Sequence, residues 1–194
     1  MQHIIIENVE NPLFDTAYAI MCENFPLSER RNYKEHEKIF ILNNNFMIEV
    51  LADDNFSELT KEDNSIIGIL AWWNFKNFIY CEHLAIRQSR QNKGFGKVLL
   101  ARLESIAKKY EKKVILEIEP PTFSEQAKKR KKFYESNGFC FNNGINHIQP
   151  PYHKETGSIE LNIISWPIKI TNKEYEIFKS EQKKIMPCFN ANIL

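Results

Sequence analysis

The sequence predicts an α/β domain with a mixed β-sheet flanked by helices. Three observations carry this. Strand-length apolar runs alternate with stretches of helical period along the chain. The 194 residues suffice for one domain with a full core. Hydrophobic residues make up 43%, with 14 Phe, enough for a packed interior.

The elements follow in order. Ile4, Ile5 and Ile6 read as a short first strand. Residues 12–22 form an apolar-periodic helix with Pro12 at its first position, where a missing N–H costs nothing. Phe25-Pro26 breaks it, and Tyr33–Leu42 is a second helix. Residues 46–51 and 66–73 are strands joined by a polar, mostly acidic hairpin loop over 52–64. Phe78–Ile86 is a longer strand. After a polar turn, Val98, Leu99, Leu103, Ile106, Ala107 and Tyr110 recur at spacings of three and four, an amphipathic helix. Residues 114–119 are a buried strand stopped by Pro120-Pro121. Thr122 with Glu125 three positions on suggests a capping box for a helix running to Asn137, with Gly138 just past its end. Residues 160–165 are a late strand, and Asn172–Ile185 a C-terminal helix with Pro187 as its stop.

Composition removes several function classes. Lys and Arg number 26 against 25 acids, a net charge of +1, which excludes a disordered polyelectrolyte. Four well-separated cysteines without a C-x-x-C pair argue against a zinc ribbon and for reduced thiols. Cys81 and His83, two apart on one strand, are expected to point the same way, whereas a nucleophile and its base normally converge from different elements. His147 and His153 lack the spacing and the third ligand of a metal site, so no metal is expected. The N-terminus has no signal-peptide pattern, and no apolar run reaches 18 residues; a soluble, cytoplasmic protein without a membrane span is expected.

The even balance hides a local excess. Residues 87–132 hold fourteen Lys and Arg against five acids, a net +9, leaving −8 for the remainder. Such a segment suits a polyanionic ligand. Nucleic acid is not expected, because no recognition motif is present and aromatics are not interleaved with these lysines.

Glycine is scarce, six residues in all, yet Gly94 and Gly96 are separated by one position. They lie in Arg90-Gln91-Asn92-Lys93-Gly94-Phe95-Gly96-Lys97, between a strand and a helix, where backbone N–H groups and the helix N-terminus can hold a phosphate. A Walker loop fails because Lys97 is followed by Val98 and no Gly lies five residues before Gly96. A dinucleotide fingerprint fails because position 99 is Leu.

The remaining pattern, Q-x-x-G-x-G over Gln91 to Gly96, resembles the acetyl-CoA pyrophosphate loop of the GNAT N-acetyltransferase superfamily. The resemblance extends to Glu82-His83-Leu84-Ala85-Ile86 before the loop, to Leu116-Glu117-Ile118 after it, and to Phe133-Tyr134-Glu135-Ser136-Asn137-Gly138-Phe139 as the closing F-Y-x-x-x-G-F, about a third of the chain. Gln149-Pro150-Pro151-Tyr152 is similar to a loop of some bacterial members. The resemblance implies a single N-acetyltransferase domain over residues 1–194, with a mostly antiparallel sheet, splayed middle strands and flanking helices. It further implies that Leu84, Ala85 and Ile86 pair with the pantetheine arm of acetyl-CoA. The amides of Gln91, Asn92, Lys93, Gly94, Phe95, Gly96 and Lys97 would hold the pyrophosphate, and the +9 segment would face its phosphates.

The implied reaction is direct acetyl transfer to a primary amine of a small molecule or peptide. A primary ammonium has a pKa of about 10.4, so it needs a base, and a leaving thiolate benefits from an acid. Tyr134 matches the tyrosine that plays the acid in many members. Glu82 and Glu117 match positions that carry the base, with Glu119 on the same strand face as Glu117, and the choice stays open. Phe25 to Arg31 and the loop around Gln149 to His153 are where the acceptor groove is expected, with Trp72, Trp73 and Phe75 better explained as core. The alternative is a non-catalytic acyl-CoA-binding regulatory domain, and a homodimer through the C-terminal strand and helix is compatible with the pattern.

Overall fold

A computed structural model describes residues 1–56 and 65–186. Among them β1 (Gln2–Ile6), β2 (Phe46–Ala52), β3 (Ile66–Asn74) and β4 (Phe78–Ile86) form an antiparallel run. It continues through β5 (Lys113–Ile118) to β8 (Ile159–Trp166), whose far edge carries β6 (Cys140–Phe141) and then β7 (His147–Gln149). The helices are α1 (Leu13–Asn24), α2 (Tyr33–Leu42), α3 (Phe95–Tyr110), α4 (Glu125–Ser136) and α5 (Asn172–Ile185). This is the mixed, mostly antiparallel sheet flanked by helices that the sequence predicts.

Alternation along the strands divides the core between the two faces of the sheet. On one face Phe14, Ile20, Ile39 and Phe178, from α1, α2 and α5, meet Phe46, Trp73, Phe78 and Tyr80. On the other, Leu99, Leu103 and Ile106 of α3 and Tyr134 of α4 meet Trp72, Ile79, Cys81 and Leu116. Trp73 and Phe75 are thus core, and Trp73 stacks on Phe46 with ring centroids 4.5 Å apart.

The feature that positions a site is the junction of β4 and β5. These strands run parallel, the one such pairing among the described residues, and are joined for three residues only, Phe78–Lys113, Ile79–Val114 and Tyr80–Ile115. Beyond that β5 stays with β8 while β4 stays with β3, so the two diverge and leave a gap between their C-terminal halves. A bulge also interrupts β4: Ala71 pairs with His83 and Trp72 with Cys81, skipping Glu82. Side-chain alternation therefore resets there. Cys81 joins the α3 and α4 face, while His83 lies against Phe25 on the other. The expectation that the two share a face is corrected by this extra residue.

Three local readings also change. Pro12 caps α1 instead of occupying its first turn. The α4 cap is Ser124, whose hydroxyl accepts from Ala127 N at 3.0 Å, not Thr122; a turn in which Phe123 N donates to Pro120 O delays the helix. The short β6 and β7 were not anticipated, since two or three residues give no periodic signal. Most of the predicted hairpin loop and Pro187 lie outside the described residues.

Candidate active site

The gap between β4 and β5 opens into a cleft of about 450 Å³ on the α3 and α4 face. Leu84, Ala85 and Ile86 form one wall, Leu116, Glu117 and Ile118 the other, and Phe133 and Tyr134 of α4 close the side. Gln91, Asn92, Gly94, Phe95, Gly96 and Lys97 form one end. Lys93 does not line the cleft, and its ammonium donates to Ser89 O at 3.4 Å.

The loop needs its glycines for two different reasons. Gly94 caps α3 in the left-handed region, φ +86°, with open space around an added Cβ. Gly96 is helical, but a Cβ there would stand 3.1 Å from the Phe133 ring. No side chain caps α3, which leaves the Phe95 and Gly96 N–H groups of its first turn for a ligand, whereas Lys97 N donates to Gly94 O at 3.1 Å and Gln91 N to Gln88 O at 3.3 Å. Gly68, inside β3, also has a specific role. A Cβ at Gly68 would stand 2.5 Å from Ala85 O, so its absence lets β3 lie close behind the β4 wall.

Cations surround the loop end. Arg90 pairs with Asp53 at 3.0 Å and Arg130 with Glu119 at 2.6 Å, while Lys97 has no ion pair among the described residues. On α4, Lys128 and Lys131 are engaged by Glu125 and Glu135. These features fit a phosphorylated, elongated ligand such as coenzyme A: free amides and positive charge at one end, and a strand edge at Leu84–Ile86 beyond.

The three candidate catalytic side chains meet different fates. Tyr134 is 8% exposed, faces the cleft, and its hydroxyl has no hydrogen-bond partner among the described residues. Burial and the neighbouring Cys81 thiol push its pKa up, so it stays protonated and able to donate. Cys81 itself is buried, which pushes its thiol up and keeps it from being a nucleophile.

Glu82 has a completely buried side chain. Its Oε1 accepts from Arg31 Nη1 and from the Tyr152 hydroxyl, both at 2.7 Å, and its Oε2 accepts from Trp73 Nε1 at 2.8 Å. Burial alone would raise its pKa, but Arg31, His83 and these donors outweigh that and set it at about 2. Glu117 lines the same cleft with a side chain 7% exposed, and is held by the Tyr80 hydroxyl, His147 and Gln182. Glu119 is exposed and paired with Arg130.

The groove segments named from sequence do converge. Tyr152 reaches Glu82, and His153 Nε2 lies 3.0 Å from Arg30 O, so the Gln149–His153 loop closes on the α1–α2 junction beside Asn24 and Phe25 of the cleft. Sequence reasoning placed Arg31 and Tyr152 in the groove segments without their hold on Glu82, weighed His147 only as a metal ligand, and missed Gln182. Gln182 carries a readable signal, a polar residue on the α5 stripe between Phe178 and Ile185. His147 carries none, since its short strand exists only by pairing with β8.

The whole chain resembles several solved acetyltransferases. A GNAT-family acetyltransferase from Bacteroides thetaiotaomicron aligns with a TM-score of 0.79 and 24% identity over 95% of this chain and 97% of its own. An aminoglycoside 6′-N-acetyltransferase bound to coenzyme A gives 0.58 and 13% over 89% and 100%. The ribosomal-protein-S18-alanine N-acetyltransferase of Escherichia coli gives 0.54 and 17% over 89% and 97%. At these identities the likeness concerns the fold, and no curated protein matches the sequence. The family model of the acetyltransferase (GNAT) domain matches residues 51–140, which span β3, β4, the glycine loop, α3, β5 and α4. The chain thus carries a segment that matches the GNAT acetyltransferase domain, set within a fold like that of these solved acetyltransferases.

Proposed function

We propose that the protein transfers the acetyl group of acetyl-CoA to a primary amine by direct attack, with Tyr134 as acid and Glu117 as base. The observation that carries this reading is the divergence of β4 and β5 after Tyr80 and Ile115. It leaves a strand edge at Leu84, Ala85 and Ile86 beside an uncapped helix end, with a buried tyrosine and a carboxylate at the apex. Acetyl-CoA supplies the thioester carbonyl that the amine attacks. The ammonium N–H bond breaks toward Glu117, directly or through one water, and the freed nitrogen pair forms the new N–C bond. As the C–S bond breaks, Tyr134 gives its hydroxyl proton to the sulfur, so a thiol leaves, and the second proton shed by the acylated nitrogen restores the tyrosinate through solvent. Leu84 to Ile86 orient the arm, and the first turn of α3 with Lys97 holds the pyrophosphate. Glu117 is preferred to Glu82 because Glu82, at a pKa of about 2 and clamped by Arg31, is too weak a base and too buried.

Acetyl-CoA at about 100 times its Kd should stabilise the protein by roughly 2.7 kcal/mol in a thermal-shift experiment, with ATP or duplex DNA inert. No stabilisation by any acyl-CoA would sink the reading. Thiol release is then followed with an aminoglycoside, spermidine and an alanine-terminated peptide, the acceptors named for proteins of the same fold. Binding without turnover across these and simpler amines would favour the regulatory alternative.

A further inference from the structure

The family match ends at residue 140, yet two of the three groups that hold Glu117 come from beyond it. His147 Nε2 lies 2.5 Å from Glu117 Oε1, and Gln182 Nε2 donates to the same oxygen at 2.8 Å. The Tyr80 hydroxyl donates to Oε2 at 2.6 Å. A carboxylate offers about four acceptor sites. With three taken, the one that remains is on Oε2, and Glu117 faces the cleft.

The far side of the His147 ring is also held. Nδ1 lies 3.1 Å from the Tyr175 hydroxyl, which in turn lies 3.2 Å from Asn146 O. A carbonyl only accepts. When the hydroxyl donates to Asn146, Nδ1 donates to Tyr175 and Nε2 meets Glu117 with the pair holding one extra proton. When the hydroxyl turns to Nδ1, the ring is neutral and donates from Nε2 to Glu117 alone. Either way Oε1 stays occupied, and only the rotation of an outer hydroxyl changes.

We infer that His147 is a positioning residue for Glu117. Together with Gln182 it ties up Oε1 so that Oε2 alone meets the amine, and Tyr175 locks the ring from behind. The inference rests on the reading of Glu117 as base. It assigns a catalytic purpose to the C-terminal part of the chain, where β7 and α5 deliver His147, Tyr175 and Gln182 to a carboxylate on β5. The titratable groups facing Glu117 are Tyr80 from β4, His147 from β7 and Tyr175 from α5, with Glu29, His83 and Tyr152 at longer range. Lys179 and Glu176 flank Tyr175.

Two readouts test it. By proton NMR, wild-type protein should show a downfield, exchange-protected imidazole N–H resonance that His147→Gln abolishes and Glu117→Gln moves; a His147 resonance indifferent to Glu117→Gln overturns the inference without any acceptor being known. Kinetically, with the fastest amine of the panel above, His147→Ala should lower kcat about tenfold and displace the acidic limb of the pH profile. Loss of the base itself should cost about 10²–10⁴. The acetyl-CoA KM should stay unchanged, and His147→Gln, which keeps a donor, should recover most of the rate. Wild-type kcat and pH profile in His147→Ala, with Glu117→Gln inactive, overturns the inference. Full activity in Glu117→Gln instead overturns the reading of Glu117 as base. If His147→Ala does not fold, Tyr175→Phe carries the test from the outer end of the array, with a smaller displacement of the same limb expected and an unmoved limb counting against.

Discussion

At the scale of single residues, two glutamates that look alike in sequence are separated by their neighbours. Glu82 and Glu117 each take three hydrogen bonds, but Glu82 is neutralised by a guanidinium with no solvent exposure. Removing one partner of such a pair leaves a buried charge uncompensated and costs about 3–5 kcal/mol. Glu82→Gln should therefore lower stability by that order in chemical denaturation while its effect on the residual chemical step stays small. A fully stable variant with turnover abolished would instead make Glu82 the base. Tyr134→Phe should do the opposite, lowering kcat by about 10²-fold or more with stability and acetyl-CoA binding nearly intact. Collapse of acetyl-CoA binding would mark Tyr134 as a packing residue.

At the scale of elements, the site depends on where strands are held together and where they are not. Gly68 lets β3 press against the Ala85 carbonyl, and the bulge at Glu82 turns that side chain toward Arg31 while Cys81 stays under α4. Gly68→Ala forces a Cβ to within 2.5 Å of backbone, so β4 must shift. We expect a loss of about 1–3 kcal/mol with weakened acetyl-CoA binding, read by thermal shift with and without ligand. Gly94→Ala has room for its methyl group but pays the left-handed backbone penalty, about 1–2 kcal/mol. If the loop relaxes in the free protein, that penalty falls on binding, and calorimetry should show an acetyl-CoA Kd raised about tenfold. An unchanged Kd would show that the loop adapts.

At the scale of the whole molecule, buried ionisable groups make the fold sensitive to acid. His36 is enclosed by Phe14, Tyr18 and Phe46, and burial, with Arg31 and His83 nearby, lowers its pKa from 6.5 to about 3. Folding thus favours its neutral form, and the stability it contributes is full above about pH 6.5 and lost as pH falls toward 3. Glu82, lowered from 4.5 to about 2, adds stability that is full above about pH 4.5 and lost below it. The melting temperature should fall from about pH 6.5 downward and steepen below 4.5, and His36→Phe should flatten the upper part. A melting temperature independent of pH from 7 to 4.5 would contradict the His36 assignment, and one that does not steepen below 4.5 would contradict that of Glu82.

The sequence by itself determined the order of the longer elements and set the glycine loop between a strand and a helix, because each is a local signal. Tyr33–Leu42, Phe78–Ile86 and Asn172–Ile185 are seen with the bounds that periodicity and caps predict. Gln91 to Lys97, apart from Lys93, line the cleft because a strand, a glycine turn and a helix start are contiguous in the chain. What only the tertiary structure decided is which partners each carboxylate meets, since Glu82 and Glu117 both line the cleft. Arg31 and Tyr152 reach Glu82 across 51 and 70 residues, and His147 and Gln182 reach Glu117 across 30 and 65. A carboxylate's basicity is set by its spatial neighbours and its burial, and no periodicity along the chain records those.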